Sequence, residues 1–426
     1  MAEKPVPAST LEPSPLPSFW RRATVLVHDR KVNDPWVLRL AQMGIAAIHG
    51  LLFSAWKILR RNKIRGPEIN VVGFFRQRMG LSVAARLLVK QLEALGYSVR
   101  CVQLDGGELV PGTYQDGTDQ GGTTIIVANP DLLAYLAAHG LRRKFMRAEH
   151  LIGYWFWEQT VLPKTWAHHC QILDRIWVAT HFNRTCFAQA MGENRTTYAP
   201  LAWPEQSGLS VAKNSELTVF VLYEQSSCFW RKRPDFAWEI YLRMLEMRSD
   251  PELPVRFVLL FNGRGVVLEE ERTLFEAIRN HPFAQLVEGP LSDAGYQALI
   301  FSAHIVLATH TAEGLGLPLI EGVMGGLRVV ATGWSGVVGD FPAPFDSLPY
   351  QLRRPEIRSY HALYRPWGEW AYVDVASSAV ILNRVVDEIR AGQTSRSVDA
   401  SIPHTIQAAL TRACQSDLAV RNHETG

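Results

Sequence analysis

The stretch INVVGFFRQRMGLSVAARLLVKQLEALGYSVRCVQL, residues 69–104, decides the fold class. It begins with a short run of apolar and β-branched residues, which is typical of a buried parallel strand. A loop with one glycine follows, and apolar residues then recur at helical spacing until Gly96 ends the helix. A second strand, YSVRCVQL, completes the unit. The stretch therefore predicts a strand–loop–helix–strand unit from a parallel sheet covered by helices.

The same alternation of strands and helices runs on to residue 203, and it restarts after a polar break at residues 208–216. Beyond the break, several apolar runs are predicted to be buried strands: LTVFVLY, VRFVLLF, FAQLVEG, AHIVLAT and LRVVATG. A doubly wound unit that occurs twice predicts an α/β protein with two Rossmann-like domains facing a central cleft. Ligands of such sheets bind beyond the carboxyl ends of the strands, so function is expected in the loops there.

These patterns divide the chain into consecutive segments. They are a disordered tail at 1–18, an apolar and basic segment at 19–66, an N-terminal Rossmann-like domain at 67–207, a linker at 208–216, a C-terminal Rossmann-like domain at 217–395 and a C-terminal tail at 396–426. A length of 426 residues fits two domains. The net charge of only +3 gives no support to nucleic-acid binding. The five cysteines are scattered and never spaced as C-x-x-C, which favours a reducing compartment over a disulfide framework or a zinc site.

The apolar stretch PWVLRLAQMGIAAIHGLLFSAW, residues 35–56, carries one charge, Arg39, and is followed by the basic run KILRRNKIR. Its length is near the ~20 residues that span a bilayer, but Arg39, Gln42 and His49 interrupt it. We expect a helix that lies on the inner face of a membrane, held by its apolar side and by the basic residues after it. The alternative is a helix packed on the first domain as ordinary core. The proline-rich residues 1–18 show no signal-peptide pattern.

The strongest chemical motif is THTAEGLGLPLIEG, residues 309–322. Glu313 follows a predicted strand directly, and Glu321 lies eight positions later, inside the next helix. Glycines between them let backbone N–H groups approach an anion, and the helix N-terminus favours negative charge. The motif therefore fits a diphosphate on the amides with a carboxylate on either side for hydroxyl groups, which a nucleotide sugar would supply. The alternative is a surface acid and a second acid stabilised by the helix dipole.

A second motif is VFVLYEQSSCFWRKRPDF, residues 219–236. Arg231 and Lys232 stand between a strand and a helix that Pro234 opens, where backbone amides are free. A leaving diphosphate needs positive charge at such a place. The alternative is a solvated basic turn.

The aromatic run GYWFWEQ, residues 153–159, follows a strand of the first domain. Trp155 could stack on an acceptor sugar and Glu158 could orient its hydroxyl, although such tryptophans more often serve packing. His310 is either near a donor sugar or structural. Other histidines are interpreted as structural: His168, His169 and His181.

Several of these segments resemble the retaining GT-B glycosyltransferases of family 4, the class that includes bacterial mannosyltransferases. EGLGLPLIE matches the E-x7-E motif of that family, and RKRP is similar to its RKNP turn, with Arg233 in place of asparagine. ATGWSGVVGDF, GFFRQRMGLSVAARLL, GYWFWE and WAYVDVASSAVIL resemble ATGYSGNLDF, GYLRGEFGLGEAARLL, GYWAWE and WAEPDVEHAAELM of one bacterial branch. The resemblance covers about residues 69–390. Ser82 replaces a glycine of the phosphate loop, and Gln77-Arg78 replaces an acidic stretch.

The resemblance implies a GT-B hexosyltransferase whose donor is a nucleoside diphosphate sugar, with GDP-mannose as the first expectation. Because the sequence has no D-x-D triplet, we expect no metal requirement and no cofactor beyond the donor. The resemblance also implies an acceptor that is a glycan or a lipid-linked glycan in cell-surface polysaccharide synthesis. The apolar stretch at 35–56 and the basic run after it predict a peripheral place on the cytoplasmic face of the inner membrane. The implied catalytic residues are Glu313, Lys232 and Arg231. The implied donor-binding residues are Glu321, Gly314, Leu315, Gly316, Gly80, Val287 and Gly289, while Trp155 and Glu158 would face the acceptor.

Other chemistries find little support in the sequence. It contains no D-x-D triplet for a metal-bound diphosphate, and no HExxH, GxxxxGK[ST] or GxSxG motif. The loop RMGLSVA lacks the GxGxxG spacing of dinucleotide binding. The alternatives that stay open are another GT-B sugar-nucleotide enzyme, an epimerase or a phosphorylase, and a binding protein of the same fold whose catalytic site has decayed.

Overall fold

A computed structural model gives the fold of the chain over most of its length. The residues it describes are 58, 63, 66, 68–75, 79–105, 108–110, 122–130, 133, 147–163, 166, 170–203, 211–248, 254–263, 265, 268–342, 344–355, 368–396, 398–399 and 401–418. The tail at 1–18, the apolar stretch at 35–56, Gln77 and Arg78 therefore lie outside the described residues.

The first domain is built on a sheet of seven strands in the order β3-β2-β1-β4-β5-β6-β7. The strands are β1 (Glu68–Gly73), β2 (Val99–Asp105), β3 (Glu108–Val110), β4 (Gly122–Val127), β5 (His150–Trp155), β6 (Arg175–Val178) and β7 (Thr196–Tyr198). All neighbours are parallel except β3, which runs antiparallel to β2. Two α-helices belong to this part of the described chain: α1 (Gly80–Ala94) and α2 (His181–Met191).

The second domain is built on a sheet of six strands in the order β10-β9-β8-β11-β12-β13, all parallel. The strands are β8 (Leu217–Glu224), β9 (Val255–Asn262), β10 (Ala284–Glu288), β11 (Ile305–Ala308), β12 (Arg328–Thr332) and β13 (Asp346–Leu348). The helices are α3 (Phe229–Lys232), α4 (Pro234–Glu246), α5 (Glu269–Arg279), α6 (Asp293–Ser302), α7 (Leu317–Met324) and α8 (Gly336–Asp340). The predicted α/β fold with two Rossmann-like, doubly wound domains is confirmed.

Both faces of the central strands of the second sheet are buried, which explains why β8, β9, β11 and β12 are continuous apolar runs. Consecutive residues of β8 show the alternation: Val219 and Val221 belong to one core cluster, and Phe220 between them belongs to another. In each sheet the strand order reverses between two central strands, β1 and β4 in the first and β8 and β11 in the second. Such a reversal opens a crevice at the carboxyl ends of the strands, where ligands of this fold bind.

The C-terminal part of the chain packs first on the second domain and then, with its last helix, on the first domain. A hairpin of β14 (Tyr350–Arg353) and β15 (Trp370–Val373) leads into α9 (Val375–Arg390), which packs on α4. The last helix, α10 (Ser401–Asp417), contacts β7, and the Asp417 carboxylate accepts hydrogen bonds from Trp177 Nε1 at 2.8 Å and Thr197 Oγ1 at 2.7 Å.

The segment expected to be a C-terminal tail at 396–426 therefore contains a docked helix. Ile402, Ile406, Ala409 and Ala413 are buried at helical spacing, a signal that the sequence analysis missed. Within the described part of the chain, every helix is too short or too polar to cross a bilayer.

Candidate active site

Two loops that are remote in sequence meet at the strand reversal of the second sheet. They follow β8 and β11, which are neighbours in register, with Val219 beside Ile305. Hydrogen bonds join the loops: Thr311 N donates to Arg231 O at 2.7 Å, and Thr309 Oγ1 donates to Arg233 O at 2.7 Å. The structure thus brings the basic motif and the glutamate motif together at the crevice where the fold predicts a ligand.

The backbone of these loops is strained at defined positions. Among the described residues other than glycine, positive φ occurs at Cys228 (71°), Arg233 (48°) and Ser335 (62°). Cys228 and Arg233 bracket α3 and so fix where Arg231 and Lys232 point, while Ser335 Oγ accepts a hydrogen bond from Glu313 N at 2.9 Å. Such conformations cost on the order of 1–3 kcal/mol each and concentrate at functional sites.

A buried ion cluster joins the two motifs. Glu313 Oε1 accepts a hydrogen bond from Arg231 Nη1 at 3.0 Å and another from Lys232 Nζ. Arg231 Nη1 also donates to Ala312 O at 2.9 Å, which ties the guanidinium to the glutamate loop. The side chains of Arg231, Glu313 and Lys232 are only 5%, 11% and 18% exposed. Two cations and the Glu313 carboxylate therefore stand largely shielded from water.

Burial and charge act on each member of this cluster. Burial alone would raise the pKa of Glu313, but the charges of Lys232 and Arg231 outweigh it and lower the pKa to about 2. Burial lowers the pKa of Lys232, and the Glu313 carboxylate opposes that effect. An anion that enters the cluster would meet a nearly dry pair of cations, where charge interactions are stronger than in water.

The glycine turn after Glu313 lies against the first domain. A Cβ placed on Gly314 would be 3.1 Å from Phe156 Cβ and 3.3 Å from Trp157 N, so only glycine fits there without displacing a neighbour. Thr180 Oγ1 donates to Gly314 O at 3.1 Å across the same contact. Leu315 is buried, and Gly316 adopts φ 92° directly before α7 begins. The predicted donor loop therefore lies at the contact between the two domains.

Glu321 stands on α7 and has a partner on α6. Tyr296 donates its hydroxyl hydrogen to Glu321 Oε2 at 2.7 Å. Two other predicted donor-binding residues lie nearby in sequence: Val287 is near the end of β10, and Gly289 directly follows that strand. Val287 packs on the same core cluster as Tyr296, and Gly289 N donates to Phe261 O at 2.8 Å.

The first domain brings the start of α1 to the same place. A Cβ on Gly80 would be 3.9 Å from Leu317 Cδ1, at the N-terminus of α7. Ser82, the residue that replaces a glycine of the family, is fully buried, and its hydroxyl has no hydrogen-bond partner within the described part of the chain. Gly80 thus faces the N-terminus of α7 from the opposite domain.

Glu158 and Trp155 have different environments. Glu158 is 18% exposed, and its Oε1 lies 3.8 Å from Arg231 Nη2, so it reaches the ion cluster from the first domain. Trp155 is fully buried, and its ring packs on Phe187 with centroids 5.9 Å apart. The structure does not support an acceptor role for Trp155, because no face of its indole is open to a sugar. Its packing role was the alternative in the sequence analysis.

The histidines also differ from one another. His310 is buried, its Nε2 lies 3.3 Å from Trp334 O, and burial lowers its pKa to about 4. His181 was interpreted as structural, and it contributes to a contact between the domains that sequence reasoning missed. Its backbone N–H donates to Asp340 at 3.1 Å, and Tyr198 OH donates to the same carboxylate at 3.1 Å.

Comparisons with known proteins found weak structural similarity alone. No family model matches the chain, and no curated protein matches it. Among solved structures it is similar to HepE from Anabaena in complex with UDP and glucose (TM-score 0.47, 12% identity, 83% of this chain and 96% of that one). It is similar to a UDP-forming α,α-trehalose-phosphate synthase from Burkholderia xenovorans (TM-score 0.48, 10% identity, 83% and 96%). It is also similar to S. aureus TarM in complex with UDP (TM-score 0.44, 12% identity, 68% and 52%), and so spans about half of that chain. Values this low support no conclusion about function.

Proposed function

We propose that this chain is a glycosyltransferase that transfers a hexose from a nucleoside diphosphate sugar to a hydroxyl group of a glycan acceptor. The observation that carries the proposal is the buried cluster of Arg231, Lys232 and Glu313 at the strand reversal of the second sheet. Two cations at that place suit a diphosphate, and the neighbouring carboxylate suits sugar hydroxyls. Gly80 and the start of α1 complete the site from the other domain.

Each group then has a chemical role. Lys232 and Arg231 bind the diphosphate and stabilise the charge that develops on its leaving oxygen. Glu313 accepts hydrogen bonds from hydroxyls of the donor sugar, and Glu321 accepts them from the ribose. The backbone amides of the 314–316 turn support the sugar and its phosphate.

The resemblance to family 4 suggests that the reaction retains the anomeric configuration. The bond between C1 and the diphosphate oxygen breaks, and a bond from C1 to the acceptor oxygen forms on the same face. The acceptor's proton passes to the leaving phosphate oxygen, whose charge Lys232 offsets. Glu158, which reaches Arg231 from the first domain, is proposed to orient the acceptor hydroxyl.

GDP-mannose is the proposed donor, and a glycan or a lipid-linked glycan of cell-surface polysaccharide synthesis is the proposed acceptor. Both rest on the sequence motifs alone. The test is to incubate the full chain with GDP-, UDP- and ADP-sugars and to measure release of the nucleoside diphosphate. We expect release with one donor class in the wild type, and little with Glu313→Ala. Release from none of them, with or without glycan acceptors, would overturn the proposal.

We also propose that the reaction needs no metal ion and no cofactor besides its donor. The sequence has no D-x-D triplet. Across the described ranges, no group of three or more histidine, cysteine or acidic side chains is arranged to hold a metal ion. In this proposal, neutralisation of the diphosphate falls to Lys232, Arg231 and the backbone amides.

A place on the cytoplasmic face of the inner membrane completes the proposal. It rests on the apolar stretch at 35–56 and the basic run after it, which would bring the enzyme to a lipid-linked acceptor. One member of the basic run already has partners on the first domain. Lys63 Nζ donates to Glu149 O at 2.8 Å and to Asp174 Oδ1 at 3.0 Å.

The membrane proposal is tested by flotation with vesicles of zwitterionic lipid containing about one-third anionic lipid. The full chain and a form lacking residues 1–34 should float with these vesicles, and a form lacking residues 1–66 should not. All three forms should bind donor alike. Failure of the full chain to float, or unfolding of the form lacking 1–66, would show that the segment is part of the core.

A further inference from the structure

The hydroxyl of Tyr296 makes a hydrogen bond to Glu321 that the proposed chemistry does not use. Its hydrogen is donated to Glu321 Oε2 at 2.7 Å. Among the described residues, no hydrogen bond reaches the other carboxylate oxygen, Oε1. Within the described part of the chain, Tyr296 therefore holds one oxygen of Glu321, and the other oxygen has no hydrogen-bond partner.

The position of this tyrosine is fixed by its surroundings. Ser292 caps α6 by accepting a hydrogen bond from Gly295 N at 3.0 Å, and Tyr296 N donates to Ser292 O at 2.8 Å. The tyrosine ring packs on the core cluster that Val287 and Leu317 also contact. Tyr296 thus links helix α6, on which it lies, to helix α7, which carries Glu321.

We propose that Tyr296 is a positioning residue that sets the specificity of this site for a ribose-containing nucleoside diphosphate. It holds Glu321 in one orientation and leaves Oε1 to accept a hydrogen bond from a ribose hydroxyl. The inference rests on the proposed function, and it concerns the sugar of the nucleotide rather than the transferred sugar. A deoxyribose that lacks the hydroxyl leaves Oε1 of this partly buried carboxylate without a hydrogen-bond donor, which is costly.

The charge state of Glu321 follows from the same contact. Burial raises the pKa of Glu321, and the hydrogen bond from Tyr296 lowers it. Burial and the Glu321 charge raise the pKa of Tyr296 well above its ordinary value, so the tyrosine stays protonated and donates. Without the hydroxyl, Glu321 would take up a proton at higher pH. A protonated carboxyl group is a poorer acceptor for a ribose hydroxyl.

The test is calorimetric binding of GDP and UDP and of their 2′-deoxy and 3′-deoxy forms to the wild type and to Tyr296→Phe. Tyr350→Phe, which changes a tyrosine on the exposed strand β14, is the matched control. For the nucleotide that binds, the wild type should prefer the ribose form to at least one deoxy form. In Tyr296→Phe that preference should fall about fivefold, through loss of affinity for the ribose form alone. Acidification should also weaken binding of the ribose form. In Tyr296→Phe this weakening should begin at a higher pH than in the wild type.

The outcomes separate the two proposals. An unchanged preference in Tyr296→Phe, or an equal loss for ribose and deoxy forms, would overturn the role of Tyr296 while leaving the proposed function intact. A wild type that binds no nucleoside diphosphate would overturn the proposed function, and the inference with it.

Discussion

Lys232 and Glu313 are 81 positions apart in sequence and form an ion pair inside the crevice of the second domain. The pair occupies the place where the proposed donor would put its diphosphate. A diphosphate must therefore compete with Glu313 for the ammonium group. In the proposed mechanism, Lys232 turns to the phosphate, while Glu313 keeps Arg231 as a partner and gains capacity to accept hydrogen bonds from the donor sugar.

The first prediction concerns turnover. Lys232→Ala should lower kcat about ten- to hundredfold with a smaller effect on KM, because its charge is needed most when the leaving diphosphate gains negative charge. Lys90→Ala, which removes an exposed lysine of α1, should leave both constants unchanged. Steady-state kinetics with the active donor measures the effect. A Lys232→Ala enzyme with the wild-type kcat would remove Lys232 from the reaction.

The second prediction concerns the contact between the domains at Gly314. Gly314→Ala should lower kcat/KM about tenfold or more, because the added methyl group must displace Phe156 or the backbone of Trp157 and with them the donor loop. Gly339→Ala is the matched control, since a Cβ there meets nothing within 4 Å. If both variants turn over like the wild type, the close approach of the domains has no part in catalysis.

The third prediction uses the buried histidine. The pKa of His310 is lowered to about 4, so between about pH 6.5 and 4 the unfolded chain binds a proton that the folded chain does not. The free energy of unfolding should therefore fall as the pH falls through this window, and His310 should account for about 2–3 kcal/mol of that loss.

Urea unfolding at pH 7 and pH 4.5 checks this prediction. The stability lost between the two values should be smaller in His310→Asn than in the wild type. The same loss should remain in His404→Asn, which changes an exposed histidine of α10. An identical loss in His310→Asn and the wild type would mean that folding does not lower the pKa of His310, and would contradict the prediction.

The fourth prediction is metal independence. Turnover should survive excess EDTA, because Lys232, Arg231 and backbone amides neutralise the diphosphate in the proposed mechanism. Assays with EDTA, followed by Mg²⁺ or Mn²⁺ in excess of the chelator, measure the effect. Loss of turnover with EDTA and recovery with either cation would contradict the proposed mechanism.

Local patterns in the sequence predicted most strands of the two sheets, but not β3 or β13. Continuous apolar runs predicted β1, β4, β8, β9, β11 and β12, because strands buried on both faces carry no polar alternation. The rule that ligands bind beyond the carboxyl ends of parallel strands then predicted that Glu313 and Lys232 would share one crevice. The structure places them there.

What the sequence did not predict depends on contacts between distant segments. Asp340 contacts His181, 159 positions away, and no local pattern of either residue signals that pairing. The sequence around Tyr296 predicts a helix but not its hydrogen bond to Glu321, which depends on the packing of α7 beside α6. For Trp155 the sequence suggested a contact with a sugar that the structure does not support. An aromatic residue at the end of a strand fits a sugar platform and a buried core equally well.

The most direct test of the nucleotide-sugar site is calorimetric titration of GDP-mannose, and of UDP- and ADP-sugars, into the wild type and Glu321→Ala. Glu246→Ala, which changes an exposed glutamate of α4, is the control. We predict that the wild type and Glu246→Ala bind one class of sugar nucleotide alike. Glu321→Ala should bind it about ten- to hundredfold more weakly, because a charge-assisted hydrogen bond to the ribose is lost. Absence of binding to the wild type, or equal affinities in all three proteins, would contradict a sugar-nucleotide site in this crevice.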